Sequence, residues 1–308
     1  MKVALLAGGT GGAKLAHGFQ MAVPPGDLTV IVNVADDLER FGLHVSPDID
    51  SVLYTLAGLI DRDRGWGVAG DTDTARQLLT RYGEEVWFWV GDADLATHVR
   101  RTRLLRDGLS MTDATDLMRT ALGVPSRLLP ATDAPLQTMV LTDAGELDFQ
   151  RYFVERRQSD AVRGIRLAGI EDALPTPAVL ASLQDADLIV IAPSNPIVSI
   201  GPILDLPGMR EALTAAPAPV VAVSPIIAGR ALKGPADRML ADLGHEVSAL
   251  GVARLYAGLV DRFVLDSVDA ALAPAIAALG MTATVLPTVM RSDDDRAALA
   301  RSLMAVAA

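Results

Sequence analysis

The sequence predicts an α/β protein: a mostly parallel sheet with helices on both faces and a mainly helical insertion. Three observations carry this. Residues 2–7, apolar from Val3 onward, read as a fully buried strand that passes through glycines into a helical pattern. A second apolar, β-branched run at 28–33 follows at the distance of a parallel βαβ crossover. The same grammar returns late in the chain, at 187–192 and 219–224. Strands buried on both faces read as unbroken apolar runs, which is the mark of a parallel sheet covered on both sides.

In order, 2–7 is the first strand, and Gly8, Gly9, Thr10, Gly11 and Gly12 make the turn. From Ala13 a helix follows, with Leu15, Phe19 and Ala22 on one face. Pro24, Pro25 and Gly26 break it before the second strand. Over 51–180 the character changes: helical patterns around 51–61, 71–82, 93–107 and 110–122 precede short strands near 136–142 and 148–154. Further strands are expected at 187–192, 219–224, 260–265 and 283–286, separated by alanine-rich helices. The expectation is a single Rossmann-like α/β domain over 1–308. Its core is 1–50 and 181–308, and about 51–180 form an inserted subdomain that caps the sheet.

With 308 residues, half of them hydrophobic, the chain can bury a large core, which excludes disorder and mini-protein scaffolds. The absence of cysteine removes disulfides, thiolate nucleophiles and cysteine-based metal sites. A net charge of −11 argues against nonspecific nucleic-acid binding. The densest basic cluster, Arg100, Arg101, Arg103 and Arg106, lacks interleaved aromatics and reads as a solvated helix face. Every long apolar stretch is broken before roughly 18 residues, and the opening run is too short for a secretory signal, so a cytoplasmic protein is expected.

The glycine loop at 8–14 opens a helix directly after a buried strand, so backbone N–H groups and the positive end of the helix dipole converge there: an anion site. Glycines let a phosphate approach the main chain, and Lys14 adds a point charge. The loop is not a Walker motif and matches the dinucleotide fingerprint only in part. Beyond the second strand come Asn33, Asp36 and Asp37, then Ser46, Pro47, Asp48, Ile49 and Asp50. Adjacent parallel strands share a C-terminal edge, so these four carboxylates are expected beside the glycine loop. At about 4 Å and an effective dielectric near 20, each carboxylate–phosphate pair costs about 4 kcal/mol unless a cation intervenes. Mg²⁺, which accepts one or two carboxylates plus phosphate oxygens, is the natural bridge. Helix capping by Asp50 or Ser51, and loop bonding by Asp36, are the alternatives.

The later strand ends supply neutral polar groups, Ser194, Asn195 and Ser199 among fixed prolines, suited to a nucleobase or ribose. The loop 225–235 brings Arg230 and Lys233 to balance diphosphate charge, unless both segments are ordinary connections. Asp92 and Asp94 are placed to cap a helix beginning near Leu95. His98 is read as a structural histidine, with no acid at metal-ligand spacing to recruit it. Trp66, Trp87 and Trp89 offer stacking surfaces or core. No Ser/His/Asp grouping or zinc-helix motif is present, which leaves direct phosphoryl transfer as the chemistry the parts support.

Taken together the motifs resemble the 2-phospho-L-lactate transferases of deazaflavin coenzyme F(420) biosynthesis, including the phosphoenolpyruvyl-type members. The matching segments are the glycine loop at 7–14, Val-Asn-Val-Ala-Asp-Asp at 32–37, Ser-Pro-Asp-Ile-Asp at 46–50 and Arg-Gly-Trp-Gly at 64–67. They continue with 91–98, Leu-Leu-Pro-Ala-Thr-Asp at 128–133, Pro-Ser-Asn-Pro-Ile-Val-Ser-Ile at 193–200, and Ser-Pro-Ile-Ile-Ala-Gly at 224–229 with Lys-Gly-Pro-Ala at 233–236. The resemblance implies a Mg²⁺-dependent, homodimeric enzyme. A guanosine diphosphate ester of a small phospho-acid would donate its phospho-acyl unit to the ribityl hydroxyl of the deazaflavin Fo, releasing GMP.

By position, Gly8, Gly9, Thr10, Gly11, Gly12, Lys14 and Asn195 would hold the guanine nucleotide, with Asn33, Ser194, Pro196, Ser199 and Lys233 beside them. Asp36, Asp37 and Asp48 would serve the metal and diphosphate, Asp50 and Asp92 the deazaflavin, and Asp48 and Asp50 the chemistry. Two positions depart from the pattern: Ala93 stands where the family usually carries Arg or Lys between two aspartates, with Arg100 or another cation left to substitute, and Ala228 replaces a frequent Gly. Two rival readings compete. A nucleotide-binding regulatory protein akin to gluconeogenesis factors shares the glycine loop but not Leu38-Glu39-Arg40-Phe41, and a dinucleotide oxidoreductase is disfavoured by Asn33 at the ribose-reading position.

Overall fold

A computed structural model describes residues 1–307. The first third runs β1 (Val3–Ala7), α1 (Gly9–Ala22), β2 (Leu28–Val32), a hairpin of β3 (Leu38–Arg40) and β4 (Leu43–Val45), α2 (Pro47–Leu56), α3 (Thr74–Arg81) and α4 (Asp92–Arg106). The middle holds α5 (Met111–Ala121), β5 (Arg127–Pro130), β6 (Gln137–Thr142), β7 (Gly145–Asp148), a π-helical turn (Arg151–Glu155), β8 (Val162–Ala168) and α6 (Pro177–Gln184). Then come β9 (Leu188–Ile191), α7 (Ile200–Leu204), α8 (Met209–Ala215), β10 (Val220–Val223), the two-residue strands β11 (Ile226–Ile227) and β12 (Arg230–Ala231), α9 (Ala236–Asp242) and α10 (Ala249–Leu255). The chain closes with β13 (Arg262–Asp266), a 3₁₀ turn (Ser267–Leu272), α11 (Ala273–Ala277), β14 (Thr282–Leu286) and α12 (Asp293–Ala307).

Seven strands form one sheet in the order β14-β13-β10-β9-β1-β2-β5, and every pairing in it is parallel. Alternate residues of β1 feed opposite faces. Val3, Leu5 and Ala7 pack with Leu15 and Phe19 of α1, Val52 of α2 and Leu299 of α12, whereas Ala4 and Leu6 pack with Val179 of α6, Leu213 of α8 and Val252 of α10. Both sides are dry, which is why β1 and β2 carry no polar alternation. From β1 the chain winds outward to β2 on one side, while β9 and β10 extend the sheet on the other. That reversal leaves a crevice beyond the carboxyl ends of β1 and β9.

The stretch 51–180 differs from a helical cap in three places. Its first helix begins earlier, at Pro47, a residue that favours the first helical position, and closes at Ala57 before Gly58 (φ 72°). Asp48 and Asp50 therefore sit inside its first turn rather than capping it. β5 joins the central sheet beside β2, with Pro130 tolerated on an edge strand. The strand expected at 148–154 ends at Asp148, whose carboxylate accepts the Arg151 N–H at 2.9 Å and turns the chain into the π turn. Phe149 and Phe153, four residues apart, then stack with rings 5.5 Å between centroids, a contact an extended strand forbids. β6, β7 and β8 make a separate antiparallel sheet. No helix among the described residues is long and apolar enough to cross a membrane.

Candidate active site

A cavity of about 530 Å³ fills the crevice, walled by the loops after β1, β2, β9 and β10 and by α2, α4, the 64–67 loop and the π turn. Its floor is the glycine loop. Gly8 is extended, and Gly9 takes φ 60°, a left-handed value that favours glycine. The Gly8 N–H donates to Ser194 Oγ at 3.2 Å and Ser194 donates back to the Gly8 carbonyl at 2.6 Å, so the end of β9 clamps the turn. A Cβ on Gly11 would lie 2.2 Å from the Pro193 carbonyl oxygen, and one on Gly12 would meet Ala7 and Ser194. Gly12 thus serves packing beneath the loop rather than the cavity surface. The N–H groups of Thr10 and Gly11, in the first turn of α1, take no partner among the described residues, which leaves two aligned donors for an anion.

Lys14 and Lys233 face the same space. Lys14 reaches the Met290 carbonyl at 3.3 Å, and burial together with the positive charges of Arg296 and Lys233 pulls it below its ordinary pKa. Lys233 donates to the Arg64 carbonyl at 3.0 Å, and Thr10 Oγ1 to that of Gly65 at 3.2 Å. Two ammonium groups crowded at a helix N-terminus repel each other, and an anion between them relieves that repulsion. Ser199 and Asn195 also line the cavity. Asn195 uses Oδ1 to accept the Ile197 N–H at 2.9 Å, with Nδ2 facing only the Met239 sulfur at 3.6 Å. Pro196 and Arg230 do not reach the cavity wall.

Opposite the lysines stand the acids. Asp48 Oδ1 accepts the Gly9 N–H at 2.7 Å and Oδ2 accepts from Asn33 Nδ2 at 2.9 Å, so Asn33 is a bracket for Asp48 behind the wall. Burial raises Asp48 to about 6 against those hydrogen bonds. Asp36 is buried with Oδ1 lacking a partner among the described residues, and burial followed by the charges of Asp48 and Asp37 lifts it well above the usual carboxylate range. Asp37 turns away: Ser46 Oγ donates to its Oδ1 at 2.6 Å and His44 Nε2 sits 2.8 Å from its Oδ2. A hard cation at Asp36 and Asp48 would satisfy the orphaned oxygen and favour the charged forms that burial disfavours. Among the described residues no three His, Asp or Glu side chains form a complete metal site, so phosphate oxygens and water would complete the shell.

Asp50 is clamped by a residue that the sequence had placed on a solvated face. Arg101 is fully buried, and its two terminal nitrogens take both Asp50 oxygens, Nη1 to Oδ2 at 3.1 Å and Nη2 to Oδ1. An arginine run on a helix shows no sign of which member turns inward, and here only position 101 does so fully. His98 is likewise not isolated. It lies between two carboxylates, Nδ1 3.6 Å from Asp50 and Nε2 3.3 Å from Asp94, one helical turn upstream. Tyr54 OH donates to Asp94 Oδ1 at 2.6 Å, and Tyr54, Asp50, Asp94 and His98 all line the cavity.

The far end is aromatic. Trp66 and Trp89 meet edge to face at 5.4 Å, with Arg64 over Trp89 at 4.8 Å and over Trp66 at 5.5 Å. Phe88, Phe149 and Phe153 complete this wall, while Trp87 stands outside it beside Arg40. Asp92 is not in the wall. It accepts the N–H groups of Thr74 and Ala75 at the start of α3, while Asp71 accepts those of Ala93 and Asp94 at the start of α4. The two acids exchange caps across the loop. Ala93 and Arg100 are exposed, and the cation in the aromatic half is Arg64.

Residues 3–282 match the family described as 2-phospho-L-lactate transferase CofD. A Streptomyces griseus protein named phosphoenolpyruvate transferase is 41% identical over all of this chain and 98% of its own length. A Methanosarcina mazei 2-phospho-L-lactate transferase is 40% identical over 96% of this chain and 97% of its own. A crystal structure of a UPF0052 family protein from Bacillus halodurans covers 98% of both chains with TM-score 0.63 at 16% identity, a likeness of fold. The chain belongs to the 2-phospho-L-lactate transferase family, a family of transferases.

Two outcomes follow from the acids. Replacing Arg101 by Met strands the Asp50 charge in the interior and is expected to cost about 3–5 kcal/mol, read as a lower denaturation midpoint, with much of the loss recovered in an Arg101→Met, Asp50→Leu double variant. Asp48 binds its proton more tightly folded (about 6) than unfolded (3.8). The folded state therefore holds extra proton between those values, and metal-free protein should lose stability as pH rises from about 4 to about 6. Asp48→Asn should flatten that decline in a chelator-treated thermal series, and an unchanged slope would show that Asp48 is not its source.

Proposed function

We propose that this protein transfers a phospho-acyl unit from its guanosine diphosphate ester to the ribityl hydroxyl of the deazaflavin Fo, releasing GMP, in the cytoplasmic synthesis of coenzyme F(420). The observation that carries the proposal is the division of one cavity into a cationic helix N-terminus, an acidic rim and an aromatic end. A diphosphate fits the free N–H groups of Thr10 and Gly11 between Lys14 and Lys233. The guanosine extends toward Asn195, Ser199 and the loop after β10, where neutral polar groups stand. A planar deazaflavin fits the wall of Trp66, Trp89 and Phe88, with Arg64 at its edge.

Asp36 and Asp48 would hold Mg²⁺, which when bound supplies positive charge between the acidic rim and the diphosphate. Everything else is positioning by the chain. Asp48 is fixed by Gly9 and Asn33, and Asp50 is fixed by Arg101 in the acceptor half, where it orients the acceptor through whichever lone pairs the guanidinium leaves. Phosphoryl transfer is a reaction in which holding the two reactants in line accounts for most of the rate. A homodimer is part of the proposal: no residue of α3 is buried, and Leu78 and Tyr82, the latter 81% exposed, present an apolar face that a second copy would cover. The molar mass in solution should then be twice 32.4 kDa.

Calorimetric titration with GDP and with Fo, each with and without Mg²⁺, should show GDP binding strengthened by the metal and Fo binding in its own right. Turnover with the lactyl, enolpyruvyl and glyceryl donors should release GMP, and Asp48→Asn should lower it by about 100-fold or more. GDP binding that ignores both Mg²⁺ and Fo would instead support a nucleotide-sensing protein.

A further inference from the structure

Transfer to a hydroxyl requires a group that takes its proton, and four carboxylates line the cavity: Asp36, Asp48, Asp50 and Asp94. Asp36 and Asp48 stand at the glycine loop, with the donor. Asp50 has both oxygens in the Arg101 fork. Asp94 differs from all three. Its Oδ1 accepts from Tyr54, while its Oδ2 takes no hydrogen bond among the described residues and is not sealed in the interior. The Asp94 backbone is pinned in the first turn of α4 by the Asp71 carboxylate, 3.0 Å from its N–H. The side chain is 10% exposed and shares the cavity wall with Tyr54, Phe88 and Trp89.

On the transfer reading above, we propose that Asp94 is the catalytic base: its free Oδ2 receives the proton of the acceptor hydroxyl, with Tyr54 and His98 as positioning residues that hold the carboxylate. The hydroxyl oxygen forms a bond to the phosphorus that carries the acyl unit. The bond from that phosphorus to the bridging oxygen breaks, and its electron pair leaves on the phosphate of GMP. The proton moves to Asp94 and passes to solvent as products depart. Burial works against the charged form of Asp94, but the neighbouring His98, the Tyr54 hydroxyl and the Arg101 charge outweigh it and keep the pKa below the ordinary value. A carboxylate of that kind suits a loose transition state, in which the nucleophile sheds its proton late, as with the aspartate of protein-kinase catalytic loops.

The test compares wild type, Asp94→Asn, Asp94→Gly and Tyr54→Phe, measuring steady-state transfer to Fo alongside GDP affinity. Wild-type turnover comes first, since a wild type that binds GDP and Fo but transfers nothing defeats the transfer reading before any variant is made. Asp94→Asn, which keeps the shape, should lose about 100-fold or more in kcat with GDP affinity unchanged. Tyr54→Phe should lose less. Added formate should restore part of the turnover of Asp94→Gly, a rescue that a purely structural residue does not show. Wild-type kcat in Asp94→Asn, loss of GDP affinity in step with kcat, or no response of Asp94→Gly to formate would each overturn the assignment.

Discussion

The carboxylate of Asp48 seated on the first amide of α1 is the contact on which the rest of the site depends. One oxygen takes the Gly9 N–H and the other takes Asn33 at the end of β2. A single side chain from α2 therefore ties together the glycine loop, the second strand and the acidic rim. Helix N-termini attract anions, and here a protein carboxylate takes the outermost donor while the next two amides stay open. The anion cradle and the acids that oppose it are thus parts of one arrangement. Gly8 has to be glycine for the same reason, because a Cβ there would sit 2.6 Å from Asp48 Oδ2 and 2.7 Å from the Ser199 Cβ.

Charge is arranged in a gradient across the cavity. Lys14 faces Lys233 on one side and Asp36 faces Asp48 on the other, and burial penalises the charged forms of Lys14, Asp36 and Asp48. Preorganisation of this kind costs stability in the empty protein, and a ligand bearing both signs, such as a metal diphosphate, relieves it. Beyond the acids, Asp50 and Arg101 form a buried pair whose value lies in fixing direction, since buried ion pairs contribute little net stability. The pair holds α4 against the start of α2, and that brings Asp94, His98 and Tyr54 into the aromatic half.

Much of this was legible along the chain. β1, β2, β9 and β10 announce themselves because burial on both faces leaves unbroken apolar runs, and the glycine loop because only glycines admit Pro193 and Asp48 so closely. α4 and α5 fall within a residue or two of the helical spacing. β5 escaped notice because four residues that begin with an arginine and end with a proline make no strand pattern by themselves; its partner β2 supplies the ladder. The π turn at Arg151–Glu155 escaped because the apolar residues of 148–154 fit a strand as well as a helix until Phe149 stacks on Phe153.

The parallel sheet, the anion loop and the gathering of acids at one sheet edge can be read along the chain, because these follow from local periodicity and from the rule that adjacent parallel strands share an end. Which partners each acid takes emerges once the chain is folded. Asp37 is spent on Ser46 and His44, Asp92 on the start of α3 and Asp50 on Arg101, while Asp36 and Asp94 keep an oxygen free. A carboxylate's partners lie 7 to 51 residues away along the chain in these cases. Such contacts are set by packing across the fold, and spacing within a motif carries no record of them.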